Sequence, residues 1–530
     1  MNTGSAADDV LDEHPQRAVT WTTVNAAEAA FPDVPTPLSW SWSWWPTESG
    51  IRGCFAGTGA FPRTFARPPT DLADRILTIH QGHVAINLDL FRELGDRLPG
   101  GSGDDIERSF FGSVRAGVTA TNHTSRYPVV ALKLPRFAVA SRRALRGFEE
   151  PIDQWWRRSV ALSRPDLPAA QALLSEAQRR YAGIAVPHVA AGLVSQALYD
   201  RVRAVSSTVG LQDQVGLLVP GGQAEARWLA ELWDVAHSRQ TLATFLDRHG
   251  YHGPFEGELS SPTWRIDPSP LERLLAIYAR ETGREPPAAL ADRRGTEMRS
   301  AEKELLSALP ARQRPSARLL LAAARSYMPL RESGRATFLR AYDVARHAAG
   351  AAGRHLASSG RLERDDDVFY LTFDELTAPV LRPDAREVTR FRRARREHYR
   401  TLALPNLWTG SPIAQQLSEP PADGEQISGQ GVSAGICEGR VRVVLDPADV
   451  DDLDEGDVLV CRATDPSWAA LFYLVSAVVI DIGGEMSHGA IVARELGLPA
   501  VVNTHDGTRR LQSGERVRVD GSAGTVVRIP

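Results

Sequence analysis

A histidine near the C-terminal end of the sequence has neighbours that suit the chemistry of a nucleophile. His488 lies in the run Gly483-Gly484-Glu485-Met486-Ser487-His488-Gly489, which follows the apolar run Ala477-Val478-Val479-Ile480. This pattern predicts a buried strand followed by a helix with Ser487 as its N-cap. A ring in the first turn faces the positive end of the helix dipole, so the neutral imidazole should prevail near pH 7.

The start of that helix also suits an anion. Its first backbone N–H groups point outward, and the two preceding glycines let the backbone come close to a bound group. We therefore expect Ser487, Gly484 and Gly489 to hold a phosphoryl group, and an exposed His488 to carry it. Gly497 and Pro499 should end the helix.

Short apolar runs around His488 predict a small α/β domain at residues 428–530. The predicted strands cover residues 441–445, 458–461, 478–481, 500–503, 517–520 and 525–529, with the His488 helix between the third and the fourth. The polar, proline-bearing stretch 415–427 before them is typical of a hinge linker.

The segment from about residue 459 to residue 530 resembles the mobile, phosphohistidine-bearing domain of phosphoenolpyruvate-utilising enzymes, most closely rifampin phosphotransferase. The matching runs are Thr464-Asp465-Pro466-Ser467-Trp468, Gly483-Gly484, Ser487 through Glu495, Leu498 through Val502, and Val519-Asp520-Gly521. The resemblance implies a β/β/α domain that swivels between two sites. It also implies an acceptor-binding region before it, which the run Asn25-Ala26-Ala27-Glu28 and the run Thr36-Pro37-Leu38-Ser39 resemble.

Composition bounds the class of protein. The chain has 530 residues, 43% hydrophobic and 24% charged, with a net charge of −4. That length predicts two to four domains, and the charge gives no support for nucleic-acid or membrane binding.

The three cysteines are far apart, residues 1–19 lack the pattern of a signal peptide, and the longest apolar run, 471–480, is too short to span a bilayer. We expect a cytoplasmic protein.

The remaining sequence predicts a multidomain α/β plus α protein. Residues 1–20 form a flexible tail in this interpretation, and residues 21–414 form the acceptor-binding region. That region has a mixed N-terminal part to about residue 148 and is α-rich afterwards. It precedes the C-terminal swivelling phosphohistidine domain.

Tryptophans are concentrated at 40–45 and 155–156. Alternation in Trp40-Ser41-Trp42-Ser43-Trp44-Trp45 predicts an extended segment with the rings on one face. Trp42 and Trp155 either plug a domain core or form the wall of an apolar acceptor pocket.

A Gly/Pro-punctuated loop between two predicted helices carries two His and two Glu, which is costly to order for packing alone. It runs from His249 to Arg265 and resembles the Gly-His-Arg-Gly-Pro-x-Glu loop of the same family, with Tyr251 and His252 in place of the His-Arg pair. His249, His252 and Glu256 are candidate acid/base residues for the acceptor hydroxyl. A structural connector is the alternative.

Other polar residues are weaker candidates. Arg331, predicted to begin a helix, could meet a phosphoryl group or make an ordinary salt bridge. Asp365-Asp366-Asp367 predicts a solvated turn. His80 and His83 have no third ligand at a recognisable spacing, so we expect no metal site.

Lysine occurs only at Lys133 and Lys303, and no G-x-x-x-x-G-K-[ST] motif is present. The sequence also lacks a recognisable ATP-grasp domain and a phosphoenolpyruvate barrel. We therefore expect no cofactor bound directly, with ATP and Mg supplied through an ATP-grasp-type partner protein that phosphorylates His488. The acceptor would be a hydroxyl of a small organic molecule, ending as a phosphate ester or a dehydrated product. An acid/base enzyme that uses His488 without ATP and a binding or scaffold protein are the alternatives.

Overall fold

The computed structural model describes residues 8–24, 31, 33–111, 114–115, 117–119, 121, 123–221, 223–280, 285–416, 426–447, 453–454, 456–484 and 487–529. The chain divides into two compact units, each built from separate stretches. The first unit comprises residues 1–189, 255–262 and 336–419, and the second comprises residues 190–254, 263–335 and 420–530.

The first unit combines a small antiparallel sheet with long helices. Its strands are β1 (Thr20–Thr22), β2 (Leu77–His80), β3 (His83–Asn87), β4 (Leu402–Ala403), β5 (Leu407–Thr409) and β6 (Gln415–Gln416). Strands β2, β3, β1 and β5 form one sheet in that order, and β4 pairs with β6. The helices within this unit are Pro37–Thr58, Leu88–Asp96, Gly103–Phe111, Tyr127–Val160, Phe373–Thr377 and Ala385–Arg400. Two further helices, Leu167–Ser207 and Arg314–Ser358, are divided between the units.

The second unit combines helices with an eight-stranded sheet. The helices are Val215–Leu218, Gln223–Ala236, Leu242–His249, Ser269–Arg280, Pro287–Ala308, Ala469–Phe472, His488–Leu496 and Gly507–Arg510. The strands are β7 (Gln426–Ser428), β8 (Gln430–Ser433), β9 (Ile436–Val443), β10 (Asp457–Cys461), β11 (Ala477–Ile480), β12 (Ala500–Val502), β13 (Arg516–Asp520) and β14 (Thr525–Arg528). Their order is β7-β14-β13-β9-β10-β11-β12-β8, and β9 through β12 run parallel.

Alternate residues of the parallel strands face two different cores, as the period of two of a strand requires. Val458 and Val479 pack with strands β13 and β14 on one face. Leu459 and Ile480 pack on the other face with helical residues that include Trp228 and Trp233. The sheet therefore shares a buried core with the helices of its own unit.

The structure confirms the predicted order of strands around the His488 helix, with bounds shifted by one to five residues. It adds β7 and β8, which the sequence did not predict; β7 overlaps the end of the predicted hinge linker. Residues 417–425 of that linker lie outside the described residues, as do Asn25 and Glu28. The compact units group residues 190–254 and 263–335 with the C-terminal sheet, whereas the predicted domains followed the chain in sequence.

By length and composition alone, the helix Leu167–Ser207 is apolar enough to cross a membrane. The buried share of its most apolar window is 39%. The core helix of a soluble protein passes the same test, and this helix buries Leu174, Ile184 and Val202 within the units.

Candidate functional site

His488 is the first residue of a helix, as predicted. The helix runs from His488 to Leu496, with Ser487 as its N-cap and Gly497 in the left-handed conformation at its end. The Ser487 Oγ accepts a hydrogen bond from the Ala490 N–H at 3.1 Å, which satisfies one N–H of the first turn. The Gly484 carbonyl accepts the Ser487 N–H at 3.0 Å, closing the turn that leads from β11 into the helix.

The expectation that His488 is exposed was wrong. Its side chain is buried, with 6% of its surface exposed. Ser487, Gly489 and Ala490 are buried as well. Contact between a ring nitrogen of His488 and any reaction partner would require the groups that cover this ring to move.

Gly489 has a packing role that the sequence did not reveal. A Cβ at this position would overlap the Cδ1 atom of Ile480 and lie 2.8 Å from the Oγ1 atom of Thr464. The first turn of the helix therefore lies against the ends of β10 and β11. The glycine is required for this close approach whether or not it contacts a phosphoryl group.

Buried polar side chains follow the carboxyl ends of β10 and β11. Thr464 and Asp465 follow β10, and Asp481 follows β11. Asp481 accepts hydrogen bonds from the Oγ1 atoms of Thr504, at 2.8 Å, and Thr508. Burial raises the pKa of the Asp481 carboxyl, and these hydrogen bonds oppose the shift. In open parallel sheets, ligands bind at this edge. We therefore add Thr464 to His488 as a candidate site residue. The sequence analysis quoted Thr464 as part of a family motif but gave it no function.

The C-terminal half of the His488 helix contacts the helical part of the second unit. The Glu495 carbonyl accepts a hydrogen bond from the Arg294 Nε at 3.1 Å. The Glu495 carboxylate accepts one from the Gly221 N–H at 2.8 Å. A Cβ on Gly221 would lie 3.1 Å from the Ile491 side chain. We call these contacts the docking interface.

His249 and His252 belong to the second unit but have different surroundings. The Nε2 of His249 lies 3.1 Å from a carboxylate oxygen of Glu231. His252 is buried, and its ring lies near those of Trp228 and Trp264, with ring centres 6.3 and 5.7 Å away. The backbone carbonyl of His252 accepts a hydrogen bond from the backbone N–H of Trp264 at 2.7 Å, and this bond closes the loop.

Glu256 belongs to the first unit and is buried. The Arg346 guanidinium donates to the backbone carbonyls of Glu256 and Glu258. Burial lowers the pKa of Arg346, and the negative charges of Asp343, Glu256 and Glu258 oppose that shift. This stretch of the loop is therefore fixed by a buried cation.

Glu258 is a structural anchor that the sequence analysis did not identify. Its carboxylate accepts hydrogen bonds from the Thr36 N–H at 2.9 Å, the Thr36 hydroxyl at 2.8 Å and the Ser39 hydroxyl at 2.7 Å. An acidic side chain at a helix N-terminus is electrostatically favourable. Two sequence features could have indicated this anchor: an acidic residue in the loop and a Thr-Pro dipeptide typical of a helix start.

Arg331 does not begin a helix, contrary to the prediction. It lies inside the continuous helix Arg314–Ser358, which passes through Pro329. Its Nε is 4.0 Å from a carboxylate oxygen of Glu332. Arg331 is therefore not presented at a helix start, as the sequence had suggested.

The prediction of an extended tryptophan segment was also wrong, because Pro37–Thr58 is a helix with Thr36 as its N-cap. Trp42 is completely buried, stacks on Tyr181 and donates its indole N–H to the Leu174 carbonyl at 3.3 Å. Trp155 is 8% exposed, with the Arg180 guanidinium 4.6 Å from its ring centre. Both rings are core elements here, which does not support the acceptor-pocket interpretation.

Across the described residues, no group of three or more His, Cys, Asp and Glu side chains is arranged to hold a metal ion. His80 is buried between Trp21 and Trp408, with ring centres 5.5 Å away in each case. Asp365–Tyr370 is a short 3-10 helix in which Asp367 is buried and paired with Arg393 at 2.7 Å. The predicted solvated turn is therefore wrong for Asp367.

Two stretches of the chain match models of known protein families. Residues 453–524 match the model of the PEP-utilising enzyme mobile domain. Residues 162–332 match the rifampicin phosphotransferase fourth domain. The resemblance inferred from the sequence is confirmed, and the motifs at 464–468 and 487–495 lie inside the first match.

Curated relatives named rifampicin phosphotransferase match about half of the chain. One from Streptomyces sviceus is 34% identical over 311 residues, which is 56% of this chain and 35% of the relative. One from a Streptomyces species is 36% identical over 303 residues, covering 55% and 34%. One from Bacillus cereus is 28% identical over 297 residues, covering 54% and 34%. The match thus spans about a third of the length of these relatives.

Solved structures match as well, and two of them are described here. Aconitase X from Thermococcus kodakaraensis is 19% identical, with a TM-score of 0.18, over 20% of this chain and all of that chain. A solution structure of Enzyme I is 14% identical, with a TM-score of 0.16, over 65% and 80% of the two chains. These scores are too low to establish a shared fold.

Proposed function

We propose that this protein transfers a phosphoryl group, carried on His488, to a hydroxyl of a small organic acceptor. The main observation in support is the position of His488. It is the first residue of a Ser487-capped helix after β11 and lies inside the segment that matches the PEP-utilising mobile domain. The relatives named rifampicin phosphotransferase support a phosphotransferase activity.

The phosphoryl group would come from a nucleotide-binding protein or region outside this sequence. Lys133 and Lys303 are the two lysines of the chain. Nucleotide sites place lysines on phosphates, so ATP and Mg would be bound elsewhere and would reach His488 through that partner. We propose a cytoplasmic location for this reaction.

Transfer starts when the neutral ring of His488 attacks the terminal phosphorus of the donor, forming an N–P bond as the nucleoside diphosphate leaves. The acceptor oxygen then attacks the same phosphorus, the N–P bond breaks, and the hydroxyl proton passes to a base. The helix start, with Ser487 and Gly489, would stabilise the charge on the phosphoryl oxygens. Because His488 is buried, the groups that cover it would have to move aside before each step.

The proton acceptor would come from the loop after His249. His252 and His249 lie in the same compact unit as His488 and are the two main candidates. Glu256 and Arg331 are secondary candidates, the first as a base and the second as a charge partner for the phosphoryl group.

Labelling with radioactive ATP tests this proposal. The purified chain should take up label when an extract of the producing cells is added and should stay unlabelled with ATP alone. His488→Ala should abolish the label, whereas His505→Asn, at an exposed histidine of the same region, should keep it. Label on His488→Ala, or no label under any condition, would favour acid/base catalysis or a binding role instead.

A further inference from the structure

The first half of the helix Tyr127–Val160 belongs to a stretch of sequence with unbalanced charge. Residues 108–148 contain eight of the 61 basic residues of the chain and none of its 65 acidic residues. One face of the helix is buried here through Val130, Ser141 and Leu145. The periodicity of 3.6 residues therefore shows which residues of this basic stretch lie on the opposite face.

That opposite face is an exposed line of mixed aliphatic and cationic side chains, which we call the basic stripe. Its members follow one another at intervals of four, three, four and three residues and are Leu132, Arg136, Val139, Arg143 and Arg146. All five are exposed, Leu132 by 62% and Val139 by 55%. A Cβ on the neighbouring Gly147 would meet no atom within 4 Å, so the surface beside the stripe is open.

The three arginines of the basic stripe are not neutralised by neighbouring carboxylates. In the part of the chain that the structure describes, none of them makes an ion pair. Other helical arginines of the first unit do, such as Arg157 with Asp153 at 2.8 Å and Arg179 with Glu176 at 2.7 Å. Arginine beside apolar side chains is the composition of a protein-binding surface, and its charge selects an acidic partner.

The charge of the remaining chain favours a protein over an extended polyanion. Because the net charge is −4, acidic residues outnumber basic ones by twelve outside residues 108–148. A membrane of anionic lipids or a nucleic acid would attract the basic stripe but repel much of the remaining surface. A protein can present one local acidic patch, and its apolar atoms can cover Leu132 and Val139.

We propose that the basic stripe binds an acidic patch on the nucleotide-binding partner that phosphorylates His488. This inference rests on the proposed function, which requires such a partner. Attraction between opposite charges raises the rate of encounter and is screened by salt over about 8–10 Å. The stripe thus speeds phosphorylation of His488 without contacting the phosphoryl group.

The electrostatic part is tested by the initial rate of His488 labelling with ATP and the cell extract. Arg143→Glu/Arg146→Glu should lower this rate about ten-fold at low salt, and the difference should shrink at about 0.5 M salt. Arg164→Glu/Arg354→Glu makes the same change of charge at exposed arginines of the same unit and should label as the parent does. An unchanged rate for the stripe variant, or an equal loss in both variants, would overturn the proposal.

The aliphatic part has its own pair of variants. Leu132→Ser/Val139→Ser should lower the labelling rate about five-fold, because apolar contact with the partner is lost. Val380→Ser/Ile413→Ser, at side chains of the same unit that are 78% and 80% exposed, should leave the rate unchanged. All four double variants should melt with the parent, since exposed side chains contribute little to folding. Equal rates for the two serine variants would show that the aliphatic residues make no contact.

Crosslinking decides the binding surface even for a chain that is never labelled. Val139→p-benzoylphenylalanine, irradiated in the extract, should form an adduct with a peptide rich in Asp and Glu from a nucleotide-binding protein. The same variant with Arg143→Glu/Arg146→Glu should not form it. No adduct, an adduct without acidic residues, or binding of the stripe to phosphatidylglycerol vesicles or duplex DNA instead would overturn the acidic protein partner. The expected adduct on a chain that is never labelled would support the binding surface and overturn the proposed function.

Discussion

A Cβ added at Gly489, the residue after the candidate phosphoryl carrier, would overlap the Cδ1 atom of Ile480. Ile480 ends β11, and Gly489 lies in the first turn of the His488 helix. This close approach links the position of the candidate carrier to the packing of a strand.

Gly489→Ala should therefore lower stability and phosphoryl uptake together. Overpacking of this kind costs about 1–3 kcal/mol. Ile480→Val removes the Cδ1 atom that the new methyl group meets, so the double variant should recover part of both losses in thermal unfolding and labelling assays. Gly192→Ala, with open space around it, is the control and should lose neither. An unchanged melting temperature for Gly489→Ala would contradict the contact.

Variants of Ser487 can distinguish the contribution of the N-cap to helix stability from its contribution to anion binding. Ser487→Ala should destabilise the unit by about 0.5–2 kcal/mol, because the Ala490 N–H loses its partner. Ser487→Asp should restore stability as an N-cap but lower labelling, since its charge repels the phosphoryl group. Ser487→Thr should keep both. Full labelling of the Asp variant would show that no anion is held at this helix start.

Trp42 should behave as a core residue. Trp42→Ala should cost about 3–5 kcal/mol, because the ring is completely buried against Tyr181 and Tyr342. Trp45→Ala, at a ring that is 45% exposed, should change stability little and serves as the control. Thermal unfolding measures both. A stable Trp42→Ala protein with weaker acceptor binding would restore the acceptor-pocket interpretation.

His80 should make the first unit sensitive to acid. Burial, with a smaller effect of His14, lowers the pKa of His80 to about 4 from an ordinary value of 6.5. The folded form therefore keeps the ring neutral while the unfolded chain takes up a proton. Its contribution to stability is complete above about pH 6.5, is lost as the pH falls toward 4, and amounts to about 3 kcal/mol.

His80→Phe should reduce the loss of stability between pH 6.5 and 4, because no group that titrates in this range remains between Trp21 and Trp408. The measurement is the unfolding free energy of the parent and the variant as a function of pH. His83→Phe, at the less buried histidine of the same hairpin, is the control. Parallel pH profiles for parent and His80→Phe would contradict the shifted pKa.

The sequence predicted the strand, cap and helix around His488 because these depend on neighbouring residues. An apolar run, a Ser before a helix and a Gly after it are local signals. Burial of His488 was not predicted. The helix that it begins packs through Ala490, Val492 and Ala493 in one core with Trp228 and Trp233, which lie more than 200 positions earlier. The positions of such distant surfaces cannot be obtained from periodicity.

Two secondary-structure predictions were wrong because a second local signal in the same segment was given too little weight. Alternating tryptophans suggested a strand, although Thr36 followed by Pro37 is a helix start, with a capping hydroxyl and a proline at the first position. Pro329 suggested a helix boundary, yet the helix Arg314–Ser358 continues through it. A proline in a long helix removes one backbone hydrogen bond, and the packing on either side can compensate for that loss.

The most direct test of the account is to locate the phosphoryl group by mass spectrometry under alkaline conditions, after incubation with ATP and the cell extract. A phosphoramidate is stable in alkali and labile in acid. We expect one modified residue, His488, whose phosphoryl group survives alkali, disappears in mild acid and is absent from His488→Ala and His488→Gln. A phosphoryl group on any other residue, or an active protein in which His488 is never phosphorylated, would contradict it.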